Sequence, residues 1–232
     1  METGHVLRNG VAEKNETWSL VEKPSNKKIL PCKWIFTVKT EEPDGSTKKK
    51  ARLVIGGHRQ KEGIDYQETF APVVKYQSIR VLLAFATYYD WEVHQMDFVT
   101  AFLNAEVDTE LYMEQPPGYE DGTGRVCILA KGLYGLKQAP RGWNQKFNKI
   151  MAEFDFEKNS ADDSVYKKET SSKDFIIIAV YVDDLIIISN NIKEIDKFKS
   201  EIKKIYNVKD LGELSTILGM KWSRNRKERK AY

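Results

Sequence analysis

Residues 175–188 read FIIIAVYVDDLIII: eight apolar or aromatic residues run into two adjacent aspartates, and four apolar residues follow. No other stretch constrains the fold as tightly. A buried ionised carboxylate is costly unless it is paired or bound to a metal, and two adjacent ones repel each other. Neighbours in a strand point to opposite faces, so Asp183 and Asp184 share a site only if a turn lies between or beside them. The isoleucine-rich flanks fit a hairpin with both aspartates at its tip, its strands in the core and its carboxylates at a surface. The nearest basic residues in sequence are Lys173 and Lys193. A divalent cation is therefore the natural counter-charge, and all-oxygen ligands favour Mg²⁺ or Mn²⁺. A plain polar turn between two core strands explains the stretch equally well by itself.

A third carboxylate tips the balance. VHQMDFVTAF places Asp97 between Met96 and Phe98 at the end of an apolar strand. A lone aspartate there is more often a helix cap. Three aspartates on neighbouring strand ends, however, can hold two Mg²⁺ ions ~3.5–4 Å apart, the arrangement for in-line phosphoryl transfer.

The rest of the chain predicts a mixed architecture. CKWIFTVKTEEPDGSTKKKARLVIGG reads as a long hairpin about a Pro-Asp-Gly-Ser turn. SIRVLLAFATYYDW reads as a helix capped by Ser78, and PRGWNQKFNKIMAEFDF as a helix opened by Pro140 and striped by Trp143, Phe147, Ile150, Met151 and Phe154. NNIKEIDKFKSEIKKIY is a third amphipathic helix with Ile192, Ile195, Phe198, Ile202 and Ile205 on one face, and LGELSTILGMKW ends as a strand or hairpin. Strands and helices do not alternate as regular βαβ units, which argues an α+β fold with an antiparallel sheet.

The net charge is only +3, but its distribution is uneven. Residues 48–61 hold six Lys or Arg and no acid, residues 104–121 six acids and no base, and KWSRNRKERKAY six basic residues against Glu228 alone. One region suits a polyanion. Cys32 and Cys127 lack metal-type spacing, and with three histidines a zinc site is not expected. A reducing compartment is the simple expectation. The first residues are too polar for a secretory signal, and the apolar run before Asp183 is far short of the ~18–20 residues needed to span a bilayer.

These residues are recognisable as a set. YVDD at 181–184 resembles the tyrosine-x-aspartate-aspartate box of reverse transcriptases. NETWSLVEKP, KWIFTVKTEEPDGSTKKKARLV, GIDYQETFAPVVKYQSIRVLLA, QMDFVTAFLNAEVDTELYMEQPPGY, KGLYGLKQAPRGW, YVDDLIII and LGELSTILGMKW are similar to the copia-type (Pseudoviridae) LTR retrotransposon polymerase of a Pol polyprotein. They stand in the family's order over residues 16–222.

The resemblance implies a right-hand polymerase fold of fingers and palm, the palm an antiparallel ferredoxin-like sheet. It implies RNA- and DNA-directed DNA synthesis from dNTPs on a primed RNA or DNA template, with two Mg²⁺ (or Mn²⁺) ions. Fingers would span 16–94 and 110–142, and palm 95–109 and 143–222; residues 1–15 do not match, and 223–232 form a basic tail. By position, Asp97 and Asp183 would bind both metals with Asp184 supporting. Phe102 would be the aromatic gate that rejects a ribose 2′-hydroxyl; alone it reads as a core aromatic. Arg52 would lie over the incoming base and touch the triphosphate, a task suited to a planar, permanent cation. Gln138 would contact the nucleotide sugar and template, and Tyr181 would sit beside the primer end. Lys48, Lys49 and Lys50 would hold the template backbone, and Leu218, Gly219 and Met220 would form the primer grip.

Three departures qualify the match. Gly56 stands where a small residue followed by lysine is expected, which removes one fingers charge. The first 15 residues lack the usual lead-in helix. The chain ends at Tyr232, soon after the primer-grip segment, so thumb, RNase H and integrase parts are expected to be missing. Two functions follow as alternatives: a polymerase, or a truncated or domesticated nucleic-acid-binding remnant without turnover. A nucleotide cyclase would also use strand-end carboxylates, but its glycine-rich signature is missing. The expected location is cytoplasmic, in virus-like particles, and/or nuclear, with no secretion and no membrane.

Overall fold

The structure, a computed structural model, describes residues 16–39, 47–170 and 173–232, with the backbone alone at Lys39 and Lys48. The expected Pro-Asp-Gly-Ser turn and the non-matching residues 1–15 lie outside the described residues. In chain order the first elements are β1 (Trp18–Val21), β2 (Ile29–Leu30) and the hairpin β3 (Cys32–Lys39)–β4 (Lys48–Ile55). Then come α1 (Tyr76–Tyr89), β5 (Glu92–Phe98), β6 (Tyr112–Met113), β7 (Val126–Leu129) and α2 (Ala139–Glu153). The remainder gives β8 (Glu157–Lys158), β9 (Val165–Glu169), β10 (Phe175–Tyr181), β11 (Asp184–Ser189), α3 (Ile192–Ile205) and β12 (Val208–Glu213). Two short hairpins close it, β13 (Thr216–Ile217)–β14 (Met220–Lys221) and β15 (Arg224–Asn225)–β16 (Lys230–Ala231). The chain is a mixed α+β protein. Among the described residues no helix is long and apolar enough to cross a membrane.

The chain divides into two compact units, residues 1–71 with 102–146, and residues 72–101 with 147–232. The first unit holds a small sheet of order β1-β7-β6-β2, in which β2 and β6 run parallel, and the separate β3–β4 hairpin. The base of the hairpin is fixed by backbone contact. Ile55 N–H donates to Tyr134 O at 2.9 Å and Gly56 N–H to Pro31 O at 2.7 Å. A Cβ on Gly57 would stand 1.9 Å from Gly135 O, so only glycine allows this approach. Burial pushes the Cys32 thiol up to about 12 and the Cys127 thiol to about 11, which keeps both protonated and unreactive.

The second unit is built on a six-stranded sheet of order β12-β5-β11-β10-β9-β8, antiparallel throughout. Its central strands are apolar on both faces because both are covered. On one face Ile79, Leu83 and Ala86 of α1 pack with Val93, Ala179, Ile186 and Ile188. On the other, Phe98 meets Phe147 of α2 edge-on at 5.9 Å, and Phe147 meets Tyr166 at 5.5 Å. α3 adds Ile195, Phe198 and Ile202 to the buried set. Its expected stripe is shorter than the sequence pattern, since Ile192 and Ile205 at its ends are exposed. α1 packs within the second unit.

Ser78 does not cap α1. The helix begins at Tyr76, and its third residue, Ser78, donates its hydroxyl to Asp162 Oδ2 at 2.6 Å. The same carboxylate accepts from Lys75 N–H at 3.0 Å, so the cap comes from a distant buried aspartate. Burial acts to raise the Asp162 pKa, but hydrogen bonds from Ser78 and from the backbone at Lys75 and Ser164 outweigh it and hold it low.

β12 is locked by a buried ammonium. Lys199 Nζ of α3 lies 2.7 Å from Asp210 Oδ1 and 2.7 Å from His94 Nδ1, and Lys203 Nζ reaches Asp210 Oδ2 at 3.0 Å. The Lys199 side chain is only 7% exposed. Burial opposes the Asp210 charge, yet the two lysines hold its carboxyl well below the usual range. Lys199→Met should leave Asp210 with Lys203 and the Gly212 N–H alone and cost roughly 1–3 kcal/mol in urea unfolding; a change within about 0.5 kcal/mol, that of a surface substitution, would show that the cluster is not structural. His94 is held below the ordinary imidazole range, by burial first and Lys199 second. The unfolded chain therefore takes up that proton first. Stability should be full above about pH 6.5 and fall as pH drops below it, and His94→Gln should flatten this limb of the thermal-unfolding profile.

Candidate active site

β10 and β11 pair in register from Ile176↔Ser189 to Tyr181↔Asp184, which leaves Val182 and Asp183 as a two-residue turn. Only Asp183 lies in the turn; Asp184 is the first residue of β11. Val182 has φ +58°, while Asp183 is not in the positive-φ region. Positive φ at the first central position alone is the type II′ pattern, where glycine is the easy occupant. A β-branched residue there is strained by ~1–3 kcal/mol and persists only because its surroundings over-determine it. The surroundings are the two isoleucine-rich strands and one further bond, Phe98 N–H to Asp183 O at 2.9 Å.

β11 pairs with β5 so that Asp184 stands directly opposite Asp97. Opposed residues of an antiparallel pair share a face and are close neighbours. Asp97 is thus a strand residue and not a helix cap. Gln95, buried on the same strand, donates to Asp184 Oδ1 at 3.2 Å. All three aspartates are half-buried. Their hard oxygen donors fit Mg²⁺ or Mn²⁺ in kind. Among the described residues, however, no three His, Cys, Asp or Glu side chains are grouped so as to hold a metal ion. The backbone opposes two of the carboxylates and puts the third in the adjoining turn.

One residue of this face escaped the sequence reading. Lys209 of β12 is in register with Asp97 on the side away from Asp184. Across the sheet the row is Lys209, Asp97, Asp184, Tyr181. A cation beside two opposed carboxylates lessens their mutual repulsion. The cation that the sheet sets beside Asp97 is therefore not one of the two nearest in sequence. No local signal marks it, because it depends on how β12 pairs with β5.

Tyr181 is half-buried against the α1 side of the sheet, and so are Leu218 and Met220. Leu218 and Gly219 form the β13–β14 turn with φ +50° and +79°, the two-positive pattern of a type I′ hairpin. Ile217, buried in the same cluster as Val93 and Ile186, fastens that hairpin to the face that carries the aspartates. The C-terminal residues are tied to the second unit by ion pairs. Arg226 bonds to Asp90 at 3.1 Å and to Glu92 at 3.0 Å, and Arg224 lies 5.3 Å over the Trp222 ring.

The other candidates lie in the first unit. Arg52 of β4 stands 5.8 Å over the Tyr134 ring, and Tyr134 meets Phe102 edge-on at 4.8 Å. Tyr134, unnamed by the sequence reading, is thus the link between two of its candidates. Phe102 is buried at the edge of a short 3₁₀ turn, Ala101–Asn104. Gln138 is buried and its amide is engaged: it accepts from Gln60 at 2.8 Å and donates to Asp65 O at 2.9 Å and Thr109 Oγ1 at 3.1 Å. Lys49 is exposed and Lys50 half-buried on β4, opposite Val38 and Thr37; Lys48 is placed by its backbone opposite Lys39.

The site thus consists of a strained hairpin turn beside Asp184, which pairs in register with Asp97. The sequence profile of the reverse transcriptase (RNA-dependent DNA polymerase) family matches residues 15–229. The chain belongs to that family. It is 46% identical over 222 residues to the retrovirus-related Pol polyprotein from transposon TNT 1-94 of Nicotiana tabacum, covering 95% of this chain and 17% of the relative. It is 38% identical over 213 residues to the Pol polyprotein from transposon RE1 of Arabidopsis thaliana, covering 90% of this chain and 14% of that relative. The RE2 polyprotein of the same plant is 37% identical over 213 residues, covering 90% of this chain and 15% of the relative. The chain is thus a reverse transcriptase domain of the copia-type retrotransposon kind, and it spans less than a fifth of the length of these Pol polyproteins.

Val182→Gly should remove the turn strain. We expect its unfolding midpoint to equal or exceed that of the wild type, since relief offsets the ~0.5–1 kcal/mol entropic cost of glycine. A lower midpoint would mean that the Val182 side chain packs more than it strains.

Proposed function

We propose that the chain is the fingers-and-palm part of a right-hand polymerase that transfers a nucleotidyl group from a dNTP to a primer 3′-hydroxyl on an RNA or DNA template. The observation that carries this is the register of Asp184 with Asp97, with Asp183 in a turn bonded to the end of β5. In this reading Asp97, Asp183 and Asp184 hold two Mg²⁺ or Mn²⁺ ions. Such ions supply hydroxyl activation and charge neutralisation for nucleotidyl transfer. Tyr181 lies beside the primer end, and Leu218, Gly219 and Met220 press on the primer backbone. Phe102, braced by Tyr134, blocks a 2′-hydroxyl, and Arg52 meets the triphosphate. Lys48, Lys49 and Lys50 hold the template strand. Gln138 acts through the loops it joins, since its amide is engaged with Gln60 and Thr109. The domain works as part of a longer Pol polyprotein whose thumb, RNase H and integrase complete the cycle, in cytoplasmic particles and/or the nucleus.

A second reading is a nucleic-acid-binding remnant without turnover. The engaged Gln138 amide and the lack of a three-carboxylate group among the described residues favour it. Primer extension on an RNA template with Mg²⁺ or Mn²⁺ decides between the two. The wild type should extend, and Asp183→Asn should lose at least ~100-fold in rate with primer–template binding retained. Extension by neither protein, with binding intact, would leave the remnant.

A further inference from the structure

Outside the face of the aspartates, the second unit carries an open apolar groove between the outer side of α1 and the two C-terminal hairpins. The outer side of α1 is aromatic where a solvated helix would be polar. Phe85 is 48% exposed and Tyr88 65%, and across the groove Tyr232 is 73% exposed. A patch of this kind on a folded unit marks a contact site. The groove wall contains three cations, Arg80, Lys221 and Arg229, and no acid. Among the described residues none of the three pairs with a carboxylate, although Arg229 donates one guanidinium N–H to Tyr88 O within the groove. The neighbouring Arg226, by contrast, is bonded to Asp90 and Glu92 and has no such surplus.

We propose that this groove is a second nucleic-acid contact, binding single-stranded nucleic acid by stacking bases on Phe85, Tyr88 and Tyr232 and pairing phosphates with Arg80, Lys221 and Arg229. Exposed rings ringed by cations are the parts a sequence-tolerant single-strand site needs. Single-stranded nucleic acid brings a flat apolar base and an anion in every repeat, which matches both halves of the groove. A second copy of the chain docked through the same face would set cation against cation, and an apolar peptide would leave all three cations without partners. The groove is lined by residues of one unit only; none of the three aspartates is among them, and it shares Met220 alone with the proposed primer grip. The inference rests on nucleic acid being the substrate class proposed above.

Binding of fluorescein-labelled oligothymidylate, without dNTP or divalent metal, tests the groove independently of polymerisation. Tyr88→Ala and Tyr232→Ala, both at exposed positions, should each weaken binding at least ~5-fold, and Arg80→Ala should make the salt dependence shallower. Photocrosslinking of iodouracil-substituted oligonucleotide to the wild type should label Tyr88 or Tyr232. Unchanged affinity in both tyrosine variants, or crosslinks confined to other segments, overturns the proposal, as does a wild type that binds no oligonucleotide. A wild-type dimer that Tyr88→Ala converts to a monomer, with oligonucleotide affinity unchanged, would assign the groove to a second copy instead. Loss of primer extension alone, with these binding results intact, would refute the polymerase reading and leave the groove standing.

Discussion

The pairing of β5 with β11 is the constraint on which the rest of the second unit depends. Six residue pairs run from Ser189↔Glu92 to Asp184↔Asp97. A slip of one residue would turn every side chain of one strand to the opposite face. It would bring Asp184 into the layer of Phe147 and Phe198 and carry an isoleucine to the polar end. Buried apolar residues on both faces, among them Met96, Leu185, Ile187 and Ile188, make that slip costly. The register is thus enforced along the whole strand by hydrophobic packing and read out at one end as two opposed carboxylates. An apolar setting suits acidic ligands because the flanking strands fix where the carboxylates stand before any counter-ion arrives.

The same logic explains why the flanking strand is held by charge. β12 has an irregular register between Asp210 and Gly212, and most of its residues are exposed. Packing alone would locate it poorly. Lys199, reaching from α3, bonds Asp210 on β12 and touches His94 on β5, so one buried ammonium joins three elements. A buried ion pair is a weak source of net stability but a strong selector of one arrangement, since any other leaves a charge unpaired. Its consequence at the site is indirect: with Asp210 fixed, Lys209 falls opposite Asp97.

The sequence made legible whatever depends on near neighbours. The β10–β11 hairpin follows from its isoleucine flanks, although its turn is Val182 and Asp183 and not the two aspartates; the α2 start follows from Pro140, and the family from motifs in a fixed order. What escaped depends on distant partners. Asp162, far along the chain, does the capping that the pattern assigned to Ser78. Lys199 lies between helix positions that read as apolar, and nothing local distinguishes it from the exposed Lys197 or Lys203. Tyr134 looks like one more loop aromatic until Arg52 and Phe102 are seen on either side of it. The ion pairs of Arg224 and Arg226 escaped because their acids, Asp90 and Glu92, stand far back in the chain, where α1 ends and β5 begins.

The two units differ in how firmly they hold their candidate residues, and the difference follows from their sheets. The aspartates sit on a sheet with helices packed on both faces. The lysines of β4 sit on a two-stranded ribbon, and such ribbons are marginal without further support. Phe36 and Val38, which share a face of its partner strand, are exposed. The base is fixed by the Ile55 and Gly56 backbone bonds and the close approach of Gly57 to Gly135, and further along Trp34 donates its indole N–H to Pro117 O at 3.0 Å. Carboxylates that must hold ions at set distances require the rigid mount. Lysines that meet a polyanion do not, because attraction to a phosphate backbone is insensitive to ångström-scale placement. On the proposed function, chemistry that tolerates displacement is carried on the two-stranded ribbon, and chemistry that does not on the covered sheet.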